Sequence, residues 1–217
     1  MSIVNSKQNC LSRMRPGIKA KRSFGFTMVE VLVSVTIFSV GLIGVARLQV
    51  VAKQSNYDAV QRVTATSIAQ DLVSRMRANG TGLSTYVGNS GTLQINYNDA
   101  TVEPSPNCST SLCDAQSLAD HDLWEIEQDM IGITEQDANG NPLGGLSLPT
   151  LCITAVDEAG NVLDDGDSGI YTVAIAWRGK TALTNPAAND CGSGTGLYGN
   201  SNEYRRLLVL STYITTM

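Results

Sequence analysis

The sequence predicts an α+β fold in which one long N-terminal helix packs on an antiparallel β-sheet. Residues 26–78 keep a helical spacing of apolar side chains and contain no proline. Three later segments, 150–156, 170–178 and 206–215, are rich in strand-forming residues. Loops rich in Gly, Asn and Asp separate these segments, which is typical of connections between antiparallel strands.

The overall composition narrows the possible functions. The 217 residues carry a formal net charge of -5 and are 42% hydrophobic, which excludes a wholly disordered chain. The acidic balance disfavours direct binding of nucleic acid. The single histidine, His121, disfavours histidine-based catalysis and zinc binding, and we expect it on the surface of a short helix. No cofactor is predicted.

The N-terminal region joins a basic segment to an apolar segment. Residues 1–25 contain six basic side chains and no acidic one. Residues 26–46 contain a single charged side chain, Glu30. As a helix, this stretch is roughly 31 Å long at about 1.5 Å per residue, which matches the hydrocarbon core of a bilayer. The basic segment favours the cytoplasmic side, so the rest of the chain is expected to cross the membrane.

Three interpretations of the apolar segment compete. A secretory signal would be cut at a small-x-small site, but Ser39-Val40-Gly41 lies inside the run. A plain membrane anchor needs no internal charge, and an unpaired Glu30 would cost about 2.5–3.5 kcal/mol in lipid. Its carboxylate can instead snorkel to the interface. In the third interpretation, Glu30 has a binding partner.

The residues around this boundary resemble the type IV prepilin signal. Arg22-Ser23-Phe24-Gly25 is followed by Phe26-Thr27-Met28-Val29-Glu30, with a basic leader before it and an uncharged apolar stretch after it. The resemblance implies that a membrane-embedded prepilin peptidase cuts after Gly25 and methylates Phe26. It also implies that Glu30 pairs with an N-terminal amine when subunits assemble.

The resemblance implies three domains. Residues 1–25 are a leader that is removed, and residues 26–79 are a spine helix whose transmembrane half is 26–46. Residues 80–217 form an α+β head. The precursor is expected as a single-pass protein of the inner membrane with its head in the periplasm, and later in the pilus. Loss of the leader's six basic residues changes the formal net charge from -5 to -11.

The second half of the spine helix is predicted to be amphipathic and to end at Asn79-Gly80. Its apolar stripe comprises Leu48, Val51, Ala52, Ala59, Val63, Ile68, Leu72, Val73 and Met76. Arg75 and Arg77 in the last turn complement the helix dipole. The stretch 72–79, Leu-Val-Ser-Arg-Met-Arg-Ala-Asn, resembles that of the V-type minor pilins, also called type IV pilus modification proteins.

The head is acidic and mixes helix with strand. Residues 79–217 contain 17 acidic and four basic side chains. A strand is predicted at 92–97, and a capping box at 117–120 is predicted to start a short helix that ends near Gly132. The segment 206–215 reads as an almost continuous apolar strand.

The cysteines fit an oxidising compartment. Cys10 leaves with the leader, so four remain, and an even set outside the inner membrane suggests two disulfides with three possible connectivities. We expect the pairs Cys108–Cys113 and Cys152–Cys191. A zinc site is the alternative, although the spacing does not fit paired metal knuckles.

Two acidic loops are compared with known calcium-binding patterns. The loop beginning at Asp137 has Pro142 and Leu148 where an EF-hand needs Gly and Glu. A second, tighter group of acidic residues is a weak candidate for a calcium site, although a solvated turn is the favoured interpretation. This group comprises Asp164, Asp165 and Asp167. No metal is predicted.

Together these features predict a minor pilin precursor, a structural protein rather than an enzyme. Its expected partners are the prepilin peptidase, the major and other minor pilins, the inner-membrane assembly platform and the membrane. Direct nucleic-acid binding is not expected. A minor pseudopilin of a type II secretion system is the alternative within the same class. An adhesive or DNA-uptake subunit is the alternative from another class.

Overall fold

The computed structural model divides the chain into two compact units, residues 1–47 and residues 48–217. Helix α1, Met28–Ala78, contributes residues to both units. The residues that the structure describes are 25–88, 90–97, 102–133, 136–139, 143–163 and 165–216. Cys10 and the rest of the basic leader up to Phe24 lie outside the described residues.

The described part of the first unit is the apolar end of α1. The helix begins at Met28, two residues later than predicted, because Thr27 occupies the N-cap position and accepts a hydrogen bond from Glu30 N at 3.2 Å. The side chains from Gly25 to Arg47 are all exposed in the isolated chain. By length and composition this part of α1 can cross a membrane.

The C-terminal half of α1 packs on the sheet of the second unit. The buried residues of this half begin at Gln61 and follow helical spacing: Ala65, Ile68, Ala69, Leu72, Val73 and Met76. The prediction of a longer buried stripe was wrong, since Leu48, Val51 and Val63 are exposed. The core covers only the part of the helix from Gln61 onward. The helix ends at Ala78, as predicted, and Asn79 N donates to Arg75 O.

Two short helices that were not predicted follow α1. A 3₁₀ turn at Gly80–Gly82 leads into α2, Leu83–Val87. α2 buries Leu83, Tyr86 and Val87 in the core. At five residues α2 is too short for an amphipathic period to show in the sequence.

The sheet is a four-stranded antiparallel meander in the order β1–β2–β3–β4. Its strands are β1 Thr92–Asn96, β2 Thr150–Val156, β3 Gly169–Arg178 and β4 Arg205–Ile214. This confirms the predicted fold class. Strand β4 was predicted to be apolar along its length, but it lies at the edge and alternates. Leu208 and Leu210 pack against the core, whereas Val209 and Tyr213 are exposed.

The two faces of β3 support two separate clusters. Tyr171, Val173, Ile175 and Trp177 point into the main core with α1. Ala174 and Ala176 point to the opposite face, where they pack with Cys152, Cys191 and Tyr198. The long connection before β4 therefore covers part of the second face of the sheet.

Helix α3, Ala115–Ile131, corrects two predictions. Its N-cap is Asp114, whose Oδ1 accepts from Ser117 N at 2.7 Å, so Ser117 is not the cap. The helix ends where predicted, with Gly132 in a left-handed conformation at φ 73°. His121 is not on the surface: it is 3% exposed because it lies on the inward face of α3 with Leu123 and Ile126.

Two disulfides lie in the second unit. Cys108 and Cys113 are joined across a separation of five residues, with their Cα atoms 5.5 Å apart. Cys152 of β2 and Cys191 of the long connection are joined across 39 residues, with Cα atoms 5.7 Å apart. These are the two pairs expected from the sequence. The second bond ties the long connection to the sheet.

Candidate functional site

The peptide bond between Gly25 and Phe26 lies in an exposed, non-helical part of the chain. A Cβ atom placed on Gly25 would meet no atom within 4 Å. Phe26 is 82% exposed, and both residues precede the first turn of α1. A protease needs an extended and accessible backbone, and non-helical residues ahead of a helix provide one.

Glu30 lies in the first turn of α1 and has two separable features. Its backbone N–H is capped by the hydroxyl of Thr27, and its negative charge is favourable near the positive end of the helix dipole. Its carboxylate is exposed in the isolated chain and makes no ion pair with any described residue. Thr27-Met28-Val29-Glu30 has the capping-box spacing, a signal that was missed in the sequence.

The other polar side chains of the apolar segment are satisfied within the helix. The hydroxyls of Ser34 and Ser39 donate to carbonyl oxygens four residues earlier, and Thr36 donates to Val33 O. Such bonds matter in lipid, where water cannot complete them. Among the described residues of this segment, Glu30 therefore has the side chain that most needs an external partner.

A charged cluster joins the end of α1 to α3. Arg75 Nε lies 2.9 Å from Asp71 Oδ2, and Arg75 Nη1 lies 2.8 Å from Asp122 Oδ1. Arg75 Nη1 also donates to Glu125, and the hydroxyl of Tyr86 donates to Asp122. The sequence indicates a helix-dipole role for Arg75 and a likeness of its stretch to the V-type minor pilins, but not these contacts, because the partners in α3 are 47 and 50 residues away.

The cluster shifts the pKa values of its members. Burial alone would lower the pKa of Arg75, but hydrogen bonds to Glu125, Asp122 and Asp71 raise it overall. Burial, and then the hydrogen bond to Asp122, raises the pKa of the Tyr86 phenol. Arg75 therefore stays cationic and Tyr86 stays neutral over the physiological range. The cluster holds the two helices together rather than exchanging protons.

Three further polar side chains attach α1 to the rest of the second unit. The buried side chain of Gln61 donates to Gly145 O at 3.0 Å and accepts from Ser147 N at 2.9 Å. Asp58 Oδ2 lies 3.4 Å from Arg206 Nη2. Arg77 donates to the hydroxyl of Thr212 on β4. The C-terminal half of α1 is thus fixed by polar as well as apolar contacts.

The acidic group that is a weak calcium candidate in the sequence makes hydrogen bonds with neighbouring residues where the structure describes it. Asp164 lies outside the described residues. Asp165 Oδ1 accepts from Asp167 N at 3.2 Å, and Asp167 O accepts from the Tyr171 hydroxyl at 2.8 Å. Burial, and then the charges of Asp165 and Asp167, raises the pKa of Tyr171 to about 12. The part of the chain that the structure describes contains no cluster of three His, Cys, Asp or Glu side chains arranged for a metal.

Comparison with protein families gives two adjacent matches. Residues 20–46 match the prokaryotic N-terminal methylation motif, and residues 47–124 match the family described as type IV pilin Tt1218. The chain belongs to the type IV prepilin family. Comparisons of the prepilin with curated proteins and with solved structures gave no match.

The two matches cover the prepilin signal and the helix that carries Arg75. The methylation motif includes Gly25, Phe26 and Glu30, and the pilin match runs from Arg47 through Arg75 and α2 into α3. The prepilin is therefore a pilin precursor for pilus assembly, in a family of structural proteins that interact with other pilins and with the assembly machinery. Its apolar helix fits a membrane-anchored pilin that ends up in the pilus.

Proposed function

We propose that this prepilin is a minor pilin of the V type, the type IV pilus modification proteins. A prepilin peptidase cuts between Gly25 and Phe26, and the new amine of Phe26 is methylated. The mature chain is anchored in the inner membrane with its head, residues 80–217, in the periplasm. It then enters the filament or primes its assembly. The observation that carries the proposal is the Glu30 carboxylate, which has no partner among the described residues. The hydroxyls of Ser34 and Ser39 on the same apolar helix, in contrast, are hydrogen-bonded within the helix.

The assembly step follows from the energetics of a charge in an apolar surrounding. Cleavage creates a cationic amine at Phe26, four residues from Glu30. When apolar helices bundle, an unpaired carboxylate or amine loses its water and pays a large desolvation penalty. Pairing the Glu30 carboxylate of one subunit with the Phe26 amine of a neighbour removes both unpaired charges. The pairing therefore favours a fixed register between helices.

The minor role is supported by the stretch 72–79. This stretch resembles that of the V-type minor pilins, and its Arg75 makes the contacts to Asp122 and Glu125 that fix α3 on the spine helix. Minor pilins of this kind are thought to prime or modulate assembly rather than form the bulk of the filament. Surface motility and adhesion are then downstream consequences.

Deletion of the chain in its own host, with complementation, tests the proposal. Loss of surface pili with normal type II secretion supports a minor pilin, and a few copies per filament distinguish it from a major pilin. Normal pili with lost secretion would assign the chain to the pseudopilins instead. Normal pili and normal secretion would overturn both assignments.

A further inference from the structure

A cavity of about 420 Å³ lies within the second unit between α1 and the sheet. Its walls include Asp58 and Arg62 from α1, Trp177 from β3, and Arg205 and Arg206 from β4. Apolar side chains of the connection between β3 and β4 complete the walls. The cavity is separate from Gly25, Phe26 and Glu30, and the proposed assembly step does not use it.

The walls of the cavity carry more positive than negative charge. The lining residues include three arginines and one acidic residue, Asp58. Among the described residues, Asp58 pairs with Arg206 at 3.4 Å. Arg205 is 1% exposed, and its hydrogen bonds go to neutral groups. These are the carbonyls of Pro186, Asn189 and Cys191 and the side chain of Asn185. Arg62 is exposed and makes no ion pair with any described residue, so its guanidinium is open to a carboxylate ligand.

The arginines of this cavity contrast with the acidic charge of the surrounding domain. Residues 79–217 have 17 acidic and only four basic side chains, and two of those four basic residues, Arg205 and Arg206, line this cavity. A general role in solubility does not require the cations to converge on one cavity.

Several buried polar atoms of the walls also lack partners among the described residues. Trp177 is 2% exposed, and its Nε1–H donates to no described atom. Arg206 lies opposite Trp177 on β4, and its Nη1 atom is also buried without a described acceptor. A buried donor without an acceptor loses its hydrogen bonds to water without replacing them. The Oδ1 atom of Asp58 is a third such atom, and it is an acceptor.

We propose that this cavity binds a carboxylate group that has a hydrogen-bond donor beside it. The carboxylate satisfies Arg62, Arg206 and the Trp177 N–H, and the donor satisfies Asp58. Guanidinium groups bind carboxylates through charge-assisted hydrogen bonds, which are stronger than neutral ones. Two sources have this chemistry: a small free hydroxy acid, and an acidic residue of a second copy of this chain with its backbone N–H.

Fluorescence of Trp177 tests the site in the full chain in non-ionic detergent micelles. The chain has two tryptophans, so Trp124→Phe leaves Trp177 as the only reporter. In this background, malate is expected to change the emission saturably. Arg62→Gln is expected to weaken binding about tenfold or more, since a charge-assisted hydrogen bond is lost. Lys53→Gln removes one positive charge from an exposed site of the same helix and is the matched control.

Sedimentation equilibrium of the same samples distinguishes the two sources. Association that rises with protein concentration, and that malate or Arg62→Gln suppresses but Lys53→Gln does not, assigns the carboxylate to a second copy. Saturable malate binding to a monomer assigns it to a free acid. Three results would overturn the proposal. The first is a fluorescence response that sodium chloride reproduces at equal ionic strength, and the second is an equal effect of Arg62→Gln and Lys53→Gln. The third is the absence of both malate binding and Arg62-dependent association.

Discussion

Arg75 Nη1 lies 2.8 Å from Asp122 Oδ1 and thereby ties the last turn of α1 to the middle of α3. The side chain of Asp122 is only 9% exposed, and the hydroxyl of Tyr86 also donates to it. The spine helix and the following helices are therefore joined by a largely buried ion pair, and the pair depends on a single cation.

Arg75→Gln is expected to lower the free energy of unfolding of the second unit by about 3 kcal/mol, because Asp122 would remain buried without its counter-charge. Urea unfolding of the full chain in non-ionic micelles, followed by near-ultraviolet circular dichroism, measures the change. Arg77→Gln is the matched control, since Arg77 is exposed and donates to one hydroxyl, that of Thr212. A similar loss of unfolding free energy in both variants would show that the buried ion pair stabilises the fold no more than the exposed contact of Arg77 does.

The two disulfides are expected to differ in their stabilising effect. In the chain-entropy view a bond that closes a longer loop stabilises more, which gives about 4 kcal/mol for Cys152–Cys191 and about 2 kcal/mol for Cys108–Cys113. The sequence separations are 39 and 5 residues. Thermal unfolding of the two paired Cys→Ala variants provides the comparison. Equal losses, or a larger loss for Cys108–Cys113, would contradict the expectation.

Asp114 is expected to make the stability of α3 sensitive to acid. Hydrogen bonds from Ser117 lower the pKa of Asp114 below its ordinary value of 3.8. A lowered pKa in the folded state stabilises the fold above 3.8, and this contribution is lost as the pH falls below that value. Asp114→Asn keeps a capping oxygen and removes the titration.

The unfolding midpoint of wild type and Asp114→Asn, followed from neutral pH into the acid range, measures this contribution. The wild-type advantage is expected to shrink as the pH falls through the titration of Asp114, while Asp114→Ala stays less stable than Asp114→Asn throughout. A difference between wild type and Asp114→Asn that does not change with pH would refute the assignment.

The sequence predicted those parts of the fold whose signals are local. The uninterrupted period of α1 and the strand composition of β2 and β3 are readable in a window of a few residues. The capping pattern of Thr27 and Glu30 is equally local, since the two residues are three positions apart. The capping of α3 by Asp114 instead of Ser117 was a boundary error of a few residues.

Contacts between distant segments could not be predicted in this way. His121 is buried because α3 turns that face inward, which depends on where α1 and α2 pack. Gln61 is polar yet buried, because Gly145 and Ser147 offer it backbone partners 84 and 86 residues away. The cavity lined by Trp177 and Arg206 likewise forms only when α1, β4 and the long connection before β4 fold together.

Gly25→Ala is expected to slow processing without changing the fold. The added Cβ meets no atom within 4 Å in the chain, so any effect must arise in the complex with the peptidase. Mass spectrometry of the membrane-extracted chain measures the ratio of precursor to mature protein. Ser39→Ala, inside the apolar segment, is the control. Normal maturation of Gly25→Ala would contradict cleavage at this position.

Glu30→Gln is expected to leave processing intact and to reduce incorporation into filaments. The amide can still occupy the first turn, and the backbone cap from Thr27 is retained, so the helix is expected to form normally. The charge that pairs with the amine of a neighbouring Phe26 is lost, and that amine is left unpaired in an apolar surrounding. Quantitative immunoblots of sheared pili against the membrane fraction measure the effect. Glu30→Asp keeps the charge and is expected to retain more incorporation than Glu30→Gln. If Glu30→Gln enters filaments as well as wild type, the pairing does not direct assembly.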